Sequence, residues 1–195
     1  MVIARRRNGT LMFFNAVPML DETLAAIARL GTPDALIVPN WFHALDAHAF
    51  CERLKVTPFA PAIAIARLQE RTSLACRPVT ELPLDDDMAL VTVDGFKTDE
   101  AALIVGDTLI VADVMTNARH EPGMAGWMMK LVGFTGTEPR LPKPVRMRVG
   151  RSLPKVRALL EQLAQRPGLS RIIPSHGEVV ESNAPAALRA VAATL

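Results

Sequence analysis

The order of helix-like and strand-like segments is the feature that most constrains the fold of this 195-residue chain. Short apolar runs bounded by turn residues predict strands, and runs with apolar residues three or four positions apart predict helices. By these signals the chain begins with a β-hairpin, continues as α, β, α and β, passes through a β-meander, and ends as α, β and α. Because helices and strands occur in both halves, two sheets covered by helices are favoured over one doubly wound sheet. We expect an α/β fold, a four-layer αββα sandwich, in a single domain over 1–195.

Local signals set the predicted bounds of each segment. Asn8 and Gly9 lie between two apolar runs, a combination typical of a hairpin turn. The predicted strands are 2–4, 10–15, 35–38, 60–65, 88–93, 101–105, 108–112 and 171–174. The predicted helices are 21–30, 41–54, 66–71, 125–132, 153–166 and 184–194, and the segment 135–144 is expected to be irregular.

Composition and charge exclude several classes of protein. The chain is 50% apolar and 22% charged, which predicts a packed core rather than disorder. A net charge of +2 gives no reason to expect a nucleic-acid partner. The charge is uneven, because residues 119–157 carry nine Lys or Arg against two Glu, a net +7. This basic segment indicates either an anionic small-molecule ligand or an ordinary solvated surface.

The sequence also bears on where the protein works. No apolar stretch reaches the roughly 20 residues that cross a bilayer, so we expect no membrane partner. Asn15 and Pro18 interrupt the apolar part of the N-terminal segment, and no small-residue cleavage pattern follows, so no signal peptide is expected. Cys51 and Cys76 form neither a disulfide framework nor a CxxC pair. We therefore expect a cytoplasmic protein, and the sequence leaves the oligomeric state open.

Polar residues follow three of the predicted strands. The first strand end carries Asn40, His43 and Asp46, the second carries Asp113 and Asn117, and the third carries His176. Ligands collect at strand ends in layered α/β folds. An aspartate beside an apolar strand is costly to bury unless it is paired or bound to something. We therefore expect these side chains to line a functional cleft.

The chain has four histidines, which limits the metal sites available to it. In a helix that begins near Asn40, His43 lies on the apolar face and Asp46 lies about 60° to one side, so both can address one site. His48 lies about 140° away and is not expected to be a ligand, and His120 is expected in a surface loop. The alternatives are a buried His43 that donates to a backbone carbonyl, and an Asp46 that is solvated or caps a helix.

These strand ends resemble those of the metallo-β-lactamase-fold superfamily, which has an αββα sandwich with a metal site at one edge. TLIVAD, ending at Asp113, is similar to its strand-terminal aspartate motif, and IIPSHG around His176 is similar to its late His-Gly. The sequence NWFHAL at 40–45 stands where the superfamily has HxHxDH, and GFKT at 95–98 has no histidine where a third motif carries one. The chain is most similar to a branch with a degenerate PNxxH motif, whose pattern is matched by Asn40, His43, Asp113, Asn117 and His176.

The resemblance implies a metal site, and the histidine count limits its size. A dinuclear site of the superfamily takes about five His and two Asp, more than four histidines supply. A mononuclear site with His43, Asp113 and His176 as ligands and one open position would suit zinc, iron or manganese. Such an ion lowers the pKa of a bound water and makes a hydroxide nucleophile. The cleft around it would be lined by Asn40, Asp46 and Asn117.

Three functions remain open on this evidence. The first is a protein of this fold with a degenerate site, catalytically reduced or non-catalytic, which binds a small-molecule ligand and needs no metal. The second is a mononuclear metal-dependent hydrolase of an anionic ester, thioester, amide or phosphoester. The third is an unrelated α/β protein in which Asp113 and His176 only stabilise loops. Separately, Trp127, Met128 and Met129 form either a lid or partner surface, or the packed side of a short helix.

Overall fold

The hairpin predicted at the N-terminus begins the first sheet. In the computed structural model, which describes residues 1–94, 99–149 and 152–195, β1 (Val2–Arg5) and β2 (Thr10–Phe14) pair antiparallel. Gly9 in the connecting turn has a φ of 84°, a conformation that glycine adopts without the strain of a side chain. The predicted hairpin is confirmed.

The chain divides into two compact units, Met1–Leu90 and Val91–Leu195, and the prediction of one domain over the whole chain stays a prediction. The first unit has a five-stranded sheet in the order β1-β2-β3-β4-β5, in which β3, β4 and β5 continue parallel to β2. These strands are β3 (Thr32–Ile37), β4 (Thr57–Ala60) and β5 (Arg77–Pro78), and the helices between them are α1 (Asp21–Ala28), α2 (Ala47–Leu54) and α3 (Ala62–Thr72).

The core of the first unit lies between this sheet and its helices. Leu11, Phe13 and Leu36 on the strands have no exposed surface, and Leu68 of α3 is 1% exposed. The rings of Phe13 and Phe50 meet edge-to-face with centroids 5.1 Å apart, an arrangement that aromatic pairs favour. The apolar sides of the strands therefore bury the apolar sides of α2 and α3.

Two predicted elements of the first unit are wrong in their bounds. The apolar run predicted as a strand at 60–65 forms the start of α3, which buries Ala64 and Leu68, four residues apart. Burial at every fourth residue indicates a helix. A run that is apolar at every position does not show from sequence alone whether it forms a helix or a strand. The helix predicted over 41–54 is broken into a 3₁₀ turn, Trp41–Ala44, and the α-helix α2.

The second sheet has the order β6-β7-β8-β9, with β6 (Met88–Val93), β7 (Glu100–Val105), β8 (Thr108–Val111) and β9 (Arg171–Pro174). β7 and β8 form an antiparallel hairpin, and β9 returns from later in the chain to lie parallel to β8. The predicted meander and the predicted last strand are therefore confirmed. The parallel pairing places the carboxyl ends of β8 and β9 at one edge of the sheet.

Four helices accompany this sheet in the described part of the chain: α4 (Gly123–Leu131), α5 (Lys143–Val149), α6 (Leu153–Leu163) and α7 (Ala184–Ala193). α6 packs against α7 and buries Val156, Leu160 and Leu163. α5 begins inside the segment predicted to be irregular, with Pro144 in its first turn, where a missing N–H costs no helical hydrogen bond. Among the described residues, no helix is both long enough and apolar enough to cross a membrane.

Candidate metal centre

Asp113 and His176 leave the second sheet at neighbouring strand ends. Val111 at the end of β8 lies opposite Pro174 at the end of β9. The N–H of Ser175 donates to the carbonyl of Val111 at 2.9 Å, which continues the pairing one residue beyond β9. The residues that follow therefore emerge at the same edge, and the structure brings these two predicted site residues together.

The two side chains are in contact. Nε2 of His176 lies 3.4 Å from Oδ1 of Asp113, and the side chains are 36% and 13% exposed, respectively. Two ligands of a tetrahedral zinc ion, each about 2.0–2.1 Å from the metal, lie about 3.4 Å from each other. The spacing and the chemistry of these donors therefore fit two ligands of one metal ion. The ring of Phe134 packs edge-on against the imidazole with centroids 5.0 Å apart, which restricts its orientation.

A buried glutamate that the sequence reasoning missed, Glu100, holds the backbone from which Asp113 projects. Its Oε2 accepts the N–H of Asp113 at 2.7 Å, and its Oε1 accepts the N–H of Ala112 at 2.9 Å. The N–H of Val114 lies 3.2 and 3.3 Å from the two oxygens. Glu100 is 1% exposed. One carboxyl group thus satisfies three consecutive backbone donors at the end of β8.

Opposing effects act on the charge of Glu100. Burial raises the pKa of Glu100 to about 8, the negative charge of Asp113 acts in the same direction, and the three backbone N–H groups oppose both. A sequence signal for this residue exists in the hairpin register. Leu103 lies opposite Ile110, and continuing that register by three residues places Glu100 opposite Asp113. A carboxylate at the first position of the apolar strand EAALIV is the feature to look for.

Gly177 follows His176 because the backbone there passes very close to Asn117. The φ of Gly177 is +97°, and a Cβ at this position would lie 2.2 Å from the carbonyl carbon and oxygen of Asn117. The N–H of Asn117 donates to the carbonyl of His176, and the N–H of Glu178 donates to the carbonyl of Asn117, both at 3.0 Å. Only glycine fits this approach, so the His-Gly pair is a requirement of the backbone path that carries His176.

An open cleft of about 470 Å³ lies in the second unit, lined by Asn117, Arg119, His120, Gly136, Thr137 and Glu178. Asn117 lines this cleft, and its Nδ2 donates to the carbonyl of Glu178 at 2.9 Å; its expected place beside a metal site stays a prediction. Arg119 pairs with the carboxylate of Glu178 at 2.8 Å. His120 is exposed, as expected, and its Nδ1 lies 2.8 Å from the hydroxyl of Thr135.

His43 belongs to the first unit, where Asn40 fixes its backbone. Asn40 is 3% exposed, and its Oδ1 accepts the N–H groups of Phe42 at 2.9 Å and His43 at 3.3 Å. His43 itself has a φ of −91° and a ψ of 29°, outside helical geometry. The rotation of 100° per residue used to predict its face is therefore wrong here, because the segment is a capped 3₁₀ turn. The role of His43 as a metal ligand stays a prediction.

The remaining polar residues of this segment lie on α2 and just before it. Asp46 lines a cavity of about 180 Å³ in the first unit, together with residues such as Phe50 and Leu54, and its side chain does not cap α2. Its expected place beside a metal site stays a prediction. Nε2 of His48 lies 3.5 Å from Oε1 of Glu52, one turn further along α2.

No protein-family model and no curated protein matches this sequence. Solved structures do match. A metallo-β-lactamase from Pontibacter korlensis aligns at 12% identity with a TM-score of 0.59, covering 99% of this chain and 86% of that one. The chain has a metallo-β-lactamase fold.

Two further metallo-β-lactamases support the same fold. FIM-1 from Pseudomonas aeruginosa in its mono-zinc form aligns at 11% identity and a TM-score of 0.60, covering 98% of this chain and 82% of that one. The enzyme from Hirschia baltica aligns at 16% identity and a TM-score of 0.56, covering 97% and 84%. The predicted metallo-β-lactamase-like α/β fold is confirmed. The segment 95–98, which lacks the third-motif histidine, lies outside the described residues.

Proposed function

We propose that this metallo-β-lactamase-fold chain is a hydrolase that uses one divalent metal ion, held by His43, Asp113 and His176. The observation that carries the proposal is the 3.4 Å spacing between Nε2 of His176 and Oδ1 of Asp113 at two neighbouring strand ends. Two imidazoles and one carboxylate suit zinc, iron or manganese and leave a position open. A divalent ion bound there would lower the pKa of a water ligand and supply a hydroxide nucleophile.

His43 is proposed as the third ligand on two grounds. Its backbone is fixed by the buried side chain of Asn40, as a ligand on a short turn requires. The second ground is the sequence, because the PNxxH motif of the branch that this chain resembles has its histidine at His43. A single ion is proposed because four histidines are too few for the two-metal ligand set, and a mono-zinc form is known for FIM-1.

The charges around the cleft of the second unit favour an anionic substrate. Arg119 lines the cleft, and its side chain remains 76% exposed beside Glu178. The guanidinium of Arg140 covers Gly136, where a Cβ would lie 1.8 Å from the guanidinium carbon. Arginine pairs well with carboxylate and phosphate groups. We therefore propose an anionic ester, thioester, amide or phosphoester as the substrate class.

Metal analysis tests the ligand set. Protein purified without chelators is expected to hold about one equivalent of a transition metal, and His43→Ala, Asp113→Asn and His176→Ala are expected to hold less than about a tenth. His48→Ala is the matched control, because His48 pairs with Glu52 on the surface of α2. A wild-type protein that takes up no metal on titration contradicts the proposal. If His43→Ala retains its full metal content, only the assignment of His43 is contradicted, and Asp113 and His176 remain proposed ligands.

A second candidate function is a metal-free, non-catalytic protein that binds an anionic small molecule in the same cleft. The segment 95–98, which carries no histidine where the superfamily has one, favours this reduced site. A panel of chromogenic phosphodiesters, thioesters and carboxylate-bearing esters separates the two. Turnover that is lost in Asp113→Asn and His176→Ala supports the hydrolase, whereas saturable binding without turnover supports the second candidate.

The setting of the protein is proposed from the same observations. Cys51 and Cys76 are both free, which supports a reducing, cytoplasmic compartment. We propose that the two units act together as one domain, because the solved metallo-β-lactamases align across both of them. Limited proteolysis tests this point, and a stable fragment cut near residue 90 would contradict it.

A further inference from the structure

Helix α4 turns an apolar face away from the protein. Met124, Trp127, Met128 and Leu131 are 80%, 63%, 53% and 59% exposed, and their spacing places them within a 100° arc of the helix. Gly126, on the opposite side, is the buried residue of the helix. A Cβ on Gly126 would lie 1.8 Å from the carbonyl oxygen of Glu121. The missing side chain thus lets the segment that leads into α4 fold against Gly126, on the side opposite the large exposed apolar residues.

Positive side chains border this face at its C-terminal end. Lys130 is exposed on α4 itself. Nζ of Lys143 donates to the carbonyl of Leu131 at 3.2 Å, which brings that ammonium group to the end of the helix. Met147, one turn after Lys143 on α5, is 82% exposed. Lys130 and Lys143 therefore place two cations beside the exposed apolar groups of α4.

We propose that this docking face, formed by Met124, Trp127, Met128 and Leu131 with Lys130 and Lys143 at its edge, binds the surface of an anionic lipid bilayer. In helices that lie on a membrane surface, the apolar side chains enter the boundary between headgroups and acyl chains, while lysines contact anionic lipids. Tryptophan suits this boundary because its ring is apolar and its N–H is polar. The expectation of no membrane partner was based on the lack of a spanning segment, which a surface helix does not need.

The charge and shape of the docking face favour lipid over other occupants. A second copy of the chain would bring Lys130 and Lys143 of one face near those of the other, and like charges oppose such an interface. A protein partner would need a groove matched to four protruding side chains, whereas a fluid headgroup layer adapts to them. The positive border is complementary to anionic lipids. This inference does not depend on the proposed metal site.

Vesicle co-sedimentation with the full chain tests the proposal. We expect binding to phosphatidylcholine vesicles that contain phosphatidylserine, little binding to phosphatidylcholine alone, and weaker binding as salt is raised. The double variant Trp127→Ser/Leu131→Ser should reduce the partition coefficient at least about tenfold. The matched control Leu20→Ser/Ile63→Ser replaces two residues of the first unit that are 70% and 57% exposed and should bind like the wild type.

The charged border is tested separately. Lys130→Glu/Lys143→Glu should lower partition into the anionic vesicles by about thirtyfold or more, since each cation near the surface contributes about fivefold and the new carboxylates are repelled. Circular dichroism confirms that each variant is folded. Equal binding to neutral and anionic vesicles, or unchanged binding of Trp127→Ser/Leu131→Ser, overturns the proposal. A lack of binding to any vesicle also overturns the proposal. This holds even if the docking face is then found to form a dimer or to bind an acidic protein.

Discussion

Replacing Glu100 is the sharpest test of how the backbone beside Asp113 is held. Glu100→Gln keeps one oxygen, which can still accept from Ala112 and Val114, as Oε1 does. Its amide NH₂ cannot accept the N–H of Asp113, now bonded at 2.7 Å. One buried donor left unsatisfied costs about 1–3 kcal/mol. At 2–4 °C per kcal/mol for a chain of this size, a cost of about 2 kcal/mol lowers the Tm by about 4–8 °C.

The assay is thermal unfolding in the presence of a chelator, so that metal binding does not contribute. Glu70→Gln is the matched control, because Glu70 is exposed on α3 and its replacement should leave the Tm unchanged. Glu100→Ala removes both oxygens, leaves three buried N–H groups unpaired, and should cost about 3–9 kcal/mol, a large part of the free energy of unfolding of an ordinary domain. A Tm for Glu100→Gln within about 1 °C of the control refutes the reasoning.

Two further predictions follow from backbone geometry and burial. Gly177→Ala should lower the free energy of unfolding by about 3 kcal/mol or more in urea denaturation, because the added Cβ meets the carbonyl of Asn117. Gly168→Ala should cost only about 1 kcal/mol, since Gly168 also has a positive φ but has nothing within 4 Å of its Cβ position; equal effects would contradict the argument from contact. Burial raises the pKa of Cys51 to about 12 and of Cys76 to about 11, with Cys76 adding to the rise at Cys51. At pH 8 both thiols of the native protein should therefore react with a disulfide reagent at least about 100-fold more slowly than in guanidinium, and rapid labelling of the native protein would be inconsistent with this burial.

The order of elements was predictable because most strands are short apolar runs closed by turn residues. The hairpins β1–β2 and β7–β8 and the late strand β9 all carry that signal, and they define the metallo-β-lactamase fold together with the helices. The first part of α3 was predicted as a strand because AIAIA is apolar at every position, whereas its later part, 66–71, was predicted as a helix. Its helical nature depends on burial of Ala64 and Leu68 against the first sheet, and such tertiary contacts override local pattern.

The positions of Asp113 and His176 were predictable from the ends of strands alone. Asp113 and His176 come directly after two apolar runs, and the parallel pairing of β8 with β9 brings them to one edge. Glu100 was not predicted because only polar residues that follow a strand were considered, whereas Glu100 is the first residue of β7. Its role appears only when the register of the β7–β8 hairpin is continued past its last paired residues. Hairpin register is therefore as informative as motif spacing in this part of the chain.

The sequence Pro39-Asn40 followed by His43 has a local physical cause that comparison of motifs does not show. Val38 is still paired with the first sheet, since its N–H donates to the carbonyl of Phe59 at 2.8 Å, and proline then removes the next backbone donor. Asn40 replaces the lost pairing by accepting two N–H groups in its own side chain. The result is a short 3₁₀ turn, Trp41–Ala44, that contains His43, in place of the continuous helix predicted over 41–54. Where the HxHxDH motif of the superfamily would place several histidines and an aspartate, this turn has Asn40, whose side chain holds the backbone, and one histidine, His43. A site with fewer ligands is what such a division of roles predicts.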